Sequence, residues 1–329
     1  MSTSTPLSNS DTPAAPSFEP LGAGNKLPGD SGVFVILNPV AGSMKTDLLR
    51  TALNETFASR GIVPTIHLTR PEDNLRQLVT QALEQGHDLI VAAGGDGTIA
   101  AVADALVNRR AASGVTPTLG IIATGTANVL ARELGLPLDP LAAARLLAHP
   151  KGRRALDVMR VQDRHFVVQI GLGLDALMIR DTPRTHKRRW GRLAYLLVGL
   201  SHLIGFRVHR FQLWIDDQPR YTKRGLQLVV ANSGTLGQEG FHWGPNISPD
   251  DGVLNVCLVG ARTWRHLLDV AWAFFRGRAH HHRRIHHFEA RRRITLDSRP
   301  RLPVQADGEV IGTTPLTIEL VPRALAVLC

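Results

Sequence analysis

At 329 residues, 43% of them apolar, the chain is long enough for about two domains with real cores. Its formal charge of +10 points to an anionic partner (nucleic acid, acidic lipid or a phosphorylated substrate) or to a solvated, arginine-rich surface. Two widely separated cysteines, Cys257 and Cys329, exclude a disulfide framework, and a reducing cytosol is the expected compartment.

Residues 1–30 are rich in Ser, Thr, Pro and Gly, lack hydrophobic periodicity and read as a disordered tail. No basic segment leads into an apolar core there, so no secretory signal is expected. The apolar run 33–37 reads as a buried strand. A turn at 38–42 follows, then an amphipathic helix carrying Leu48, Leu49, Leu53 and Phe57. A strand at 64–68 and a helix over 71–85, stopped by Gly86, come next. The strand 88–93 runs into Gly94-Gly95-Asp96-Gly97-Thr98 and a helix beginning at Ile99. A further strand at 118–123 leads into Thr124-Gly125-Thr126-Ala127-Asn128, a helix to about Gly135 and another over 140–148.

This alternation calls for a doubly wound parallel sheet with helices on both faces, whose ligands bind beyond the carboxyl ends of its strands. The turns 38–42, 94–98 and 124–128 should share that edge. A strand, a glycine turn and a helix in succession can offer backbone N–H groups to a phosphate. An acid inside the turn, Asp96, makes sense if a cation such as Mg²⁺ sits between it and the phosphates. A nucleotide-using phosphotransferase is the first reading; an ordinary strand-to-helix turn is the plainer one.

After about residue 155 the pattern changes. Segments 165–170, 211–215, 227–231, 252–259, 293–296, 302–305 and 316–320 read as strands, most of them joined by turns. That predicts a largely antiparallel second domain, a sandwich or an open barrel. Helices over 188–203 and 263–276 interrupt it. In the latter, Trp264, Leu267, Leu268, Ala271, Trp272 and Phe275 form a stripe expected to pack in the core rather than to face a membrane or a cofactor. The apolar stretch 193–206 is shorter than the roughly 20 residues of a membrane span. Arginine clusters at 153–154, 187–189, 283–284 and 291–293 make this half basic. The histidine run 280–287 contains arginines and no acid, so a solvated or lipid-facing basic segment is expected there, not a metal site.

Several motifs in fixed order carry a family likeness. They are Asn38-Pro39-Val40-Ala41-Gly42, the GGDGT of Gly94 to Thr98, and Gly125-Thr126-Ala127-Asn128 with Leu130-Ala131-Arg132 behind it. Gly171 to Ala176 with Gly191 to Tyr195, Asp251-Gly252-Val253-Leu254, and Asp307-Gly308-Glu309 complete the set. With these, the chain resembles the diacylglycerol kinase catalytic family, in its soluble bacterial lipid-kinase branch. That branch is related to sphingosine and ceramide kinases and, more distantly, to NAD kinases. The resemblance implies an N-terminal NAD-kinase-like doubly wound parallel sheet and a C-terminal antiparallel β-sandwich domain, with a nucleotide cleft between them. The expected division is a tail at 1–30, a nucleotide-binding domain at 31–155 completed by 315–329, and a lipid-substrate domain at 156–314.

The resemblance also implies ATP and Mg²⁺ as cofactors. Asn38, Pro39, Gly42, Thr69, Gly94, Gly95, Asp96, Gly97, Thr98, Gly125, Thr126 and Asn128 would line the nucleotide site, with Asp96 organising Mg²⁺. Thr69 has a second reading as a helix N-cap before Pro71. A lipid hydroxyl needs a base, and Asp307 and Glu309 are the candidates; on an extended strand they would point the same way. Their plainer reading is an Asp-Gly turn. Ser248, Asp251 and Val253 would form a separate structural Mg²⁺ site, or else another hairpin turn. Two positions depart from the pattern. Ala123-Thr124 precede Gly125, and Val129 stands where the family often has Asp.

The implied activity is phosphorylation of a hydroxyl on diacylglycerol or a similar lipid, within phospholipid metabolism. The enzyme would sit in the cytoplasm, at the inner face of an anionic membrane. An NAD kinase is the first alternative, disfavoured because Val129 replaces the expected Glu. A non-catalytic nucleotide- or lipid-binding regulator is the second. No nucleic-acid partner is expected, since neither a recognition helix nor a run of exposed aromatics is present. A homodimer is left open.

Overall fold

The computed structural model describes residues 18–21, 27–42, 46–113, 117–173, 176, 208–216, 218–235, 242–244, 246–276 and 278–329. The expected helix 188–203, the apolar stretch 193–206, the basic run 187–189, Asp175 and the 191–195 motif lie outside the described residues, as does most of the expected tail.

The first half holds β1 (Phe18–Pro20), β2 (Val33–Leu37), α1 (Thr46–Ala58), β3 (Thr65–Leu68), α2 (Leu75–Glu84), β4 (Leu89–Gly94), α3 (Asp96–Ser113), β5 (Thr118–Ala123), α4 (Val129–Glu133), α5 (Pro140–Ala148) and β6 (Gly152–Val161). Strands β3, β2, β4 and β5 are parallel neighbours in that order. Every residue of β2, β4 and β5 is buried, as expected of strands covered on both faces. Side chains alternate between two cores. Phe34, Ile36, Ile90 and Ile121 meet Val79, Ile99, Val102 and Leu106 on one face. Val33, Val35, Leu37 and Val91 meet Leu49, Leu53, Phe57 and Leu147 on the other.

The second half holds β7 (Arg164–Phe166), β8 (Gln169–Gly173), β9 (His209–Ile215), β10 (Tyr221–Gly225), β11 (Gln227–Ala231), β12 (Leu254–Val259), α6 (Trp264–Phe275), β13 (Ile285–Ala290), β14 (Arg293–Arg299), β15 (Pro303–Ala306), β16 (Glu309–Thr313) and β17 (Leu316–Leu328). One antiparallel sheet runs β13-β12-β11-β8-β15-β16. It packs through Leu228, Val230, Val256, Leu258 and Leu172 on Phe211, Leu213, Ile294, Leu296 and Ile318 of β9, β14 and β17. The predicted sandwich is therefore present. The opposing layer is not a separate sheet, because it continues into the parallel one. The long strand β17 joins them: Leu316 to Glu319 pair with β14, and Ala326 and Val327 pair parallel with Thr118 and Leu119 of β5.

Several expectations change. Within the predicted tail, Phe18–Pro20 pair with Gly152 to Arg154, the Phe18 ring lies where a side chain at residue 152 would stand, and Glu19 bonds Arg153. Strand β6 crosses the boundary expected at 155 and pairs with β17. The predicted strand 165–170 is split, because the N–H groups of Val167, Val168 and Gln169 turn to the carboxylate of Asp307. The end of the histidine run 280–287 is not a solvated tail: from Ile285 it enters β13, which pairs with β12 through Ala290. The apolar stripe of α6 does not pack as one face. Val270 is buried with Leu267 and Phe274 against it, whereas Trp264, Leu268 and Trp272 are exposed. No helix among the described residues is long and apolar enough to cross a membrane.

Candidate active site

The three turns meet at the carboxyl edge of the parallel strands and are bound to one another. Asn38 follows β2; its N–H donates to the Ala93 carbonyl at 2.9 Å and its Nδ2 to Thr98 Oγ1 at 3.1 Å. Thr124 N–H donates to the Gly94 carbonyl at 2.9 Å. Asp96 fastens the third turn to the second. Its Oδ2 accepts from Asn128 N–H at 3.0 Å and its Oδ1 from Val129 N–H at 2.6 Å. These bonds place a carboxylate at the N-terminus of α4, where its charge is favourable.

Two glycines answer to this crowding. Gly42 has φ +86°, and a Cβ there would collide with the Thr124 carbonyl. A Cβ on Gly125 would lie 2.8 Å from Gly95 Cα and 2.9 Å from Asn128 Oδ1. Gly97 is different: a Cβ there would meet nothing within 4 Å, so no packing inside the described chain asks for glycine. Pro39 and Thr126 are exposed at the tips of their turns. Thr69 lies just past β3 and donates its N–H to the Leu37 carbonyl. It is not a helix cap, because Asn74 caps α2 by accepting from Gln77 N–H, and the helix starts four residues later than predicted, at Leu75.

Asp307 and Glu309 do not share a strand. The chain turns at Asp307 and Gly308, both at positive φ (46° and 86°), between β15 and β16. The two acids therefore diverge. Asp307 Oδ2 accepts from Val167 N–H at 2.8 Å, and its Oδ1 from Val168 and Gln169 N–H at 3.0 and 2.9 Å. Part of the residue's surface reaches solvent, but protein surrounds the carboxyl itself. Burial pushes its pKa up to about 6 against the three hydrogen bonds, and the charge of Asp96 adds to the rise. Glu309 is exposed, and its Oε2 accepts from Arg164 Nη2 at 2.8 Å.

Sequence reasoning missed the loop after β11. Asn232 is fully buried; its Nδ2 donates to the carbonyls of Asp157 and Val167. Ser233 Oγ and Thr235 N–H donate to Glu133 Oε2 at 2.8 and 2.9 Å, bridging the second half to α4. A polar Asn-Ser pair after an apolar strand was the available signal. Three buried atoms around these loops, Thr124 Oγ1, Asn128 Oδ1 and Asn232 Oδ1, find no hydrogen-bond partner. Buried polar atoms left so are costly and mark a place where a ligand or water completes the set.

The 248–253 turn is built around its own acid. Asp251 accepts from Ser248 N–H at 3.3 Å and Val253 N–H at 2.9 Å. Burial raises its pKa to about 6, with Asp157 and Asp250 adding to the rise. Asp157 accepts from Gly252 and Arg323 N–H, and Asp250 is paired with Arg154 at 2.8 Å. Among the described residues no group of three or more His, Cys, Asp or Glu is set to hold a metal. A cation here would rest on Asp251 and backbone oxygens.

Fold and loops together define the two-part architecture shared by diacylglycerol kinases and NAD kinases. A diacylglycerol kinase from Bacillus anthracis superposes with a TM-score of 0.68 at 21% identity, covering 91% of this chain and 96% of its own. An NAD kinase from Archaeoglobus fulgidus, solved in complex with ATP, gives 0.51 at 12% identity, covering 90% and 92%. The diacylglycerol kinase catalytic domain matches residues 32–161, and the YegS C-terminal NAD kinase beta sandwich-like domain matches 168–329. The Bacillus subtilis protein named diacylglycerol kinase is 27% identical over 281 residues, 85% of this chain and 90% of that one. A Xanthomonas campestris protein named "Probable lipid kinase YegS-like" is 31% identical over 220 residues, 65% of this chain and 69% of that one. The chain belongs to the diacylglycerol kinase catalytic-domain family of lipid kinases.

Proposed function

We propose that the protein is an ATP- and Mg²⁺-dependent lipid kinase that phosphorylates a hydroxyl of diacylglycerol or a similar lipid. The observation that carries this is a run of hydrogen bonds that joins three interlocked turns on one sheet edge to an acidic hairpin of the sandwich: Asp96 holds the start of α4, Glu133 of α4 accepts from Ser233 and Thr235, and Val168 accepts from Asn232 N–H and donates its own N–H to Asp307. The residues suit a nucleotide. The N-terminus of α3 and the unsatisfied Thr124 hydroxyl offer donors to phosphate oxygens and the uncrowded Gly97 gives them room, while the unsatisfied Asn128 Oδ1 is an acceptor suited to a nucleotide hydroxyl or a hydrated cation. Asn38, Pro39, Gly42, Thr69, Gly94, Gly95, Thr98, Gly125 and Thr126 complete the wall. Each Asp96 oxygen has a lone pair beyond its backbone bond with which to face Mg²⁺. When bound, ATP supplies the phosphoryl group and Mg²⁺ the countercharge on its phosphates.

The chain's own contribution is alignment and a proton acceptor. Glu309 takes the proton of the lipid hydroxyl. It is exposed, and Arg164 holds its Oε2, with no partner on Oε1 among the described residues. Asp307 has both oxygens turned to the 167–169 backbone, so it fixes the hairpin on which Glu309 stands. Asp251 with the 248 and 253 backbone is proposed as a structural Mg²⁺ site. Added Mg²⁺ should raise the melting temperature of the wild type and leave that of Asp251→Asn unmoved.

Transfer from labelled ATP to a panel of diacylglycerol, monoacylglycerol, phosphatidylglycerol, sphingosine and ceramide in mixed micelles tests the reading. One lipid product that disappears in Asp96→Ala is expected. Substantial product from that variant, or phosphorylation of NAD and no lipid, overturns it.

A further inference from the structure

The helix α6 lies outside the sandwich, against the outer face of the sheet containing β11 and β12. At about 100° per residue, Leu267, Val270 and Phe274 share the face that meets Val229, Cys257 and Val259. Trp264, Leu268 and Trp272, spaced four residues apart, form an adjoining ridge and are 45%, 67% and 55% exposed. The apolar arc of this helix thus extends from its packed face onto its exposed one. Two large aromatics and a leucine on one exposed ridge are more than scattered surface apolar residues explain.

Charge around the ridge is one-sided. Arg262, Arg265, Arg276, Arg278 and Arg283 are exposed on or next to α6. The Arg276 guanidinium lies 4.8 Å from the centre of the Trp272 ring. The acid on the helix, Asp269, is engaged by His282 Nε2 at 3.1 Å and Arg284 Nε at 3.6 Å. Tryptophan and leucine beside arginine is the make-up of a helix lying in the interface of an anionic bilayer, with aromatics at headgroup level and guanidinium groups on phosphates. A second copy of the chain fits less well, since a two-fold contact would set the same arginines against each other.

We infer that the exposed ridge Trp264–Leu268–Trp272 with its arginine rim is the surface on which this protein docks to anionic membrane. This rests on the lipid-kinase reading for its purpose. A chain of contacts runs from the packed face of α6 to the site. Phe274 stacks edge-on to Trp243 at 5.4 Å, Trp243 Nε1 donates to Gln169 Oε1 at 3.2 Å, and Gln169 N–H donates to Asp307. The docked helix is thereby tied through packed side chains to the hairpin that carries Glu309.

The test is sedimentation of the full chain, without ATP, with vesicles of phosphatidylcholine plus phosphatidylglycerol and with phosphatidylcholine alone. The triple variant Trp264→Ser, Leu268→Ser, Trp272→Ser should lose roughly tenfold or more of its partitioning to the anionic vesicles. Its melting temperature and its activity on short-chain diacylglycerol in detergent should stay at wild-type levels. Arg265→Gln with Arg276→Gln, which keeps the ridge, should weaken binding and reduce its sensitivity to salt. Wild-type binding by either variant set overturns the inference. So does lipid-free self-association of the wild type that the triple variant abolishes. Ridge-dependent binding by a wild type that phosphorylates no lipid supports the docking surface and overturns the kinase reading alone.

Discussion

Replacing Glu309 by Gln separates chemistry from architecture. The side chain keeps its size and can still accept from Arg164, but it can no longer take a proton. The pair it breaks is exposed on both sides, with side-chain exposures of 40% for Arg164 and 57% for Glu309, so stability should change by less than about 1 kcal/mol. Loss of a general base should lower kcat/KM by about 10²–10⁴-fold, which is roughly 3–5 kcal/mol of barrier. Asp307→Asn should behave the other way. One of its oxygens becomes an NH₂ group facing a backbone N–H, so at least one of the three bonds at 2.8–3.0 Å is lost and its donor left unpaired, costing about 1–3 kcal/mol below pH 6, where the buried carboxyl is uncharged as the amide is. Its activity should fall less than that of Glu309→Gln when both are assayed well below their melting temperatures. Steady-state kinetics with saturating ATP, beside urea unfolding of both variants, reads the two quantities. A Glu309→Gln enzyme within a few-fold of wild type, or an Asp307→Asn protein of wild-type stability and no activity, refutes the assignment.

Gly125→Ala should cost about 1–3 kcal/mol and most of the activity, because its methyl would lie 2.8 Å from Gly95 Cα and the interlocked turns must separate; thermal melts and kinetics report both. Arg154→Ala removes the guanidinium paired at 2.8 Å with Asp250, whose side chain is 1% exposed, and should destabilise by about 3–5 kcal/mol in urea. Because burial raises the folded pKa of Asp307 to about 6 from 3.8, the folded state holds that proton longer than the unfolded one. Wild-type stability should therefore decline relative to Asp307→Asn as pH rises across that window, and a constant gap between the two would contradict the placement.

Much of the first domain was legible because its signals are local. The runs 33–37, 89–94 and 118–123 are apolar throughout, and a strand covered on both faces must be so. The turns after them carry glycine where the chain crowds itself. The second half was harder to read, since its strands owe their existence to partners far away in sequence. Tyr-Thr-Lys-Arg-Gly at 221–225 shows little apolar patterning, yet it pairs along its length with β9. The histidine-bearing 285–290 segment is a strand because β12 offers it an edge.

The site divides along the same line. Sequence by itself determined the residue types: the glycine turns with Asp96, and the acids Asp307 and Glu309, because these chemistries are carried by single side chains at fixed spacing. What each acid does was decided by tertiary structure. Asp96 ties two turns together because Asn128 and Val129, over thirty residues away, put their N–H groups against it. Asp307 and Glu309 part company because positive φ at two successive residues turns one toward the 167–169 backbone and leaves the other in the open. Even the stripe of α6 was fixed in composition by the sequence, while its division into a packed face and an exposed ridge came from which side the sheet could cover. Hydrophobic periodicity says that a face is apolar; only the packed neighbours decide how much of it is buried.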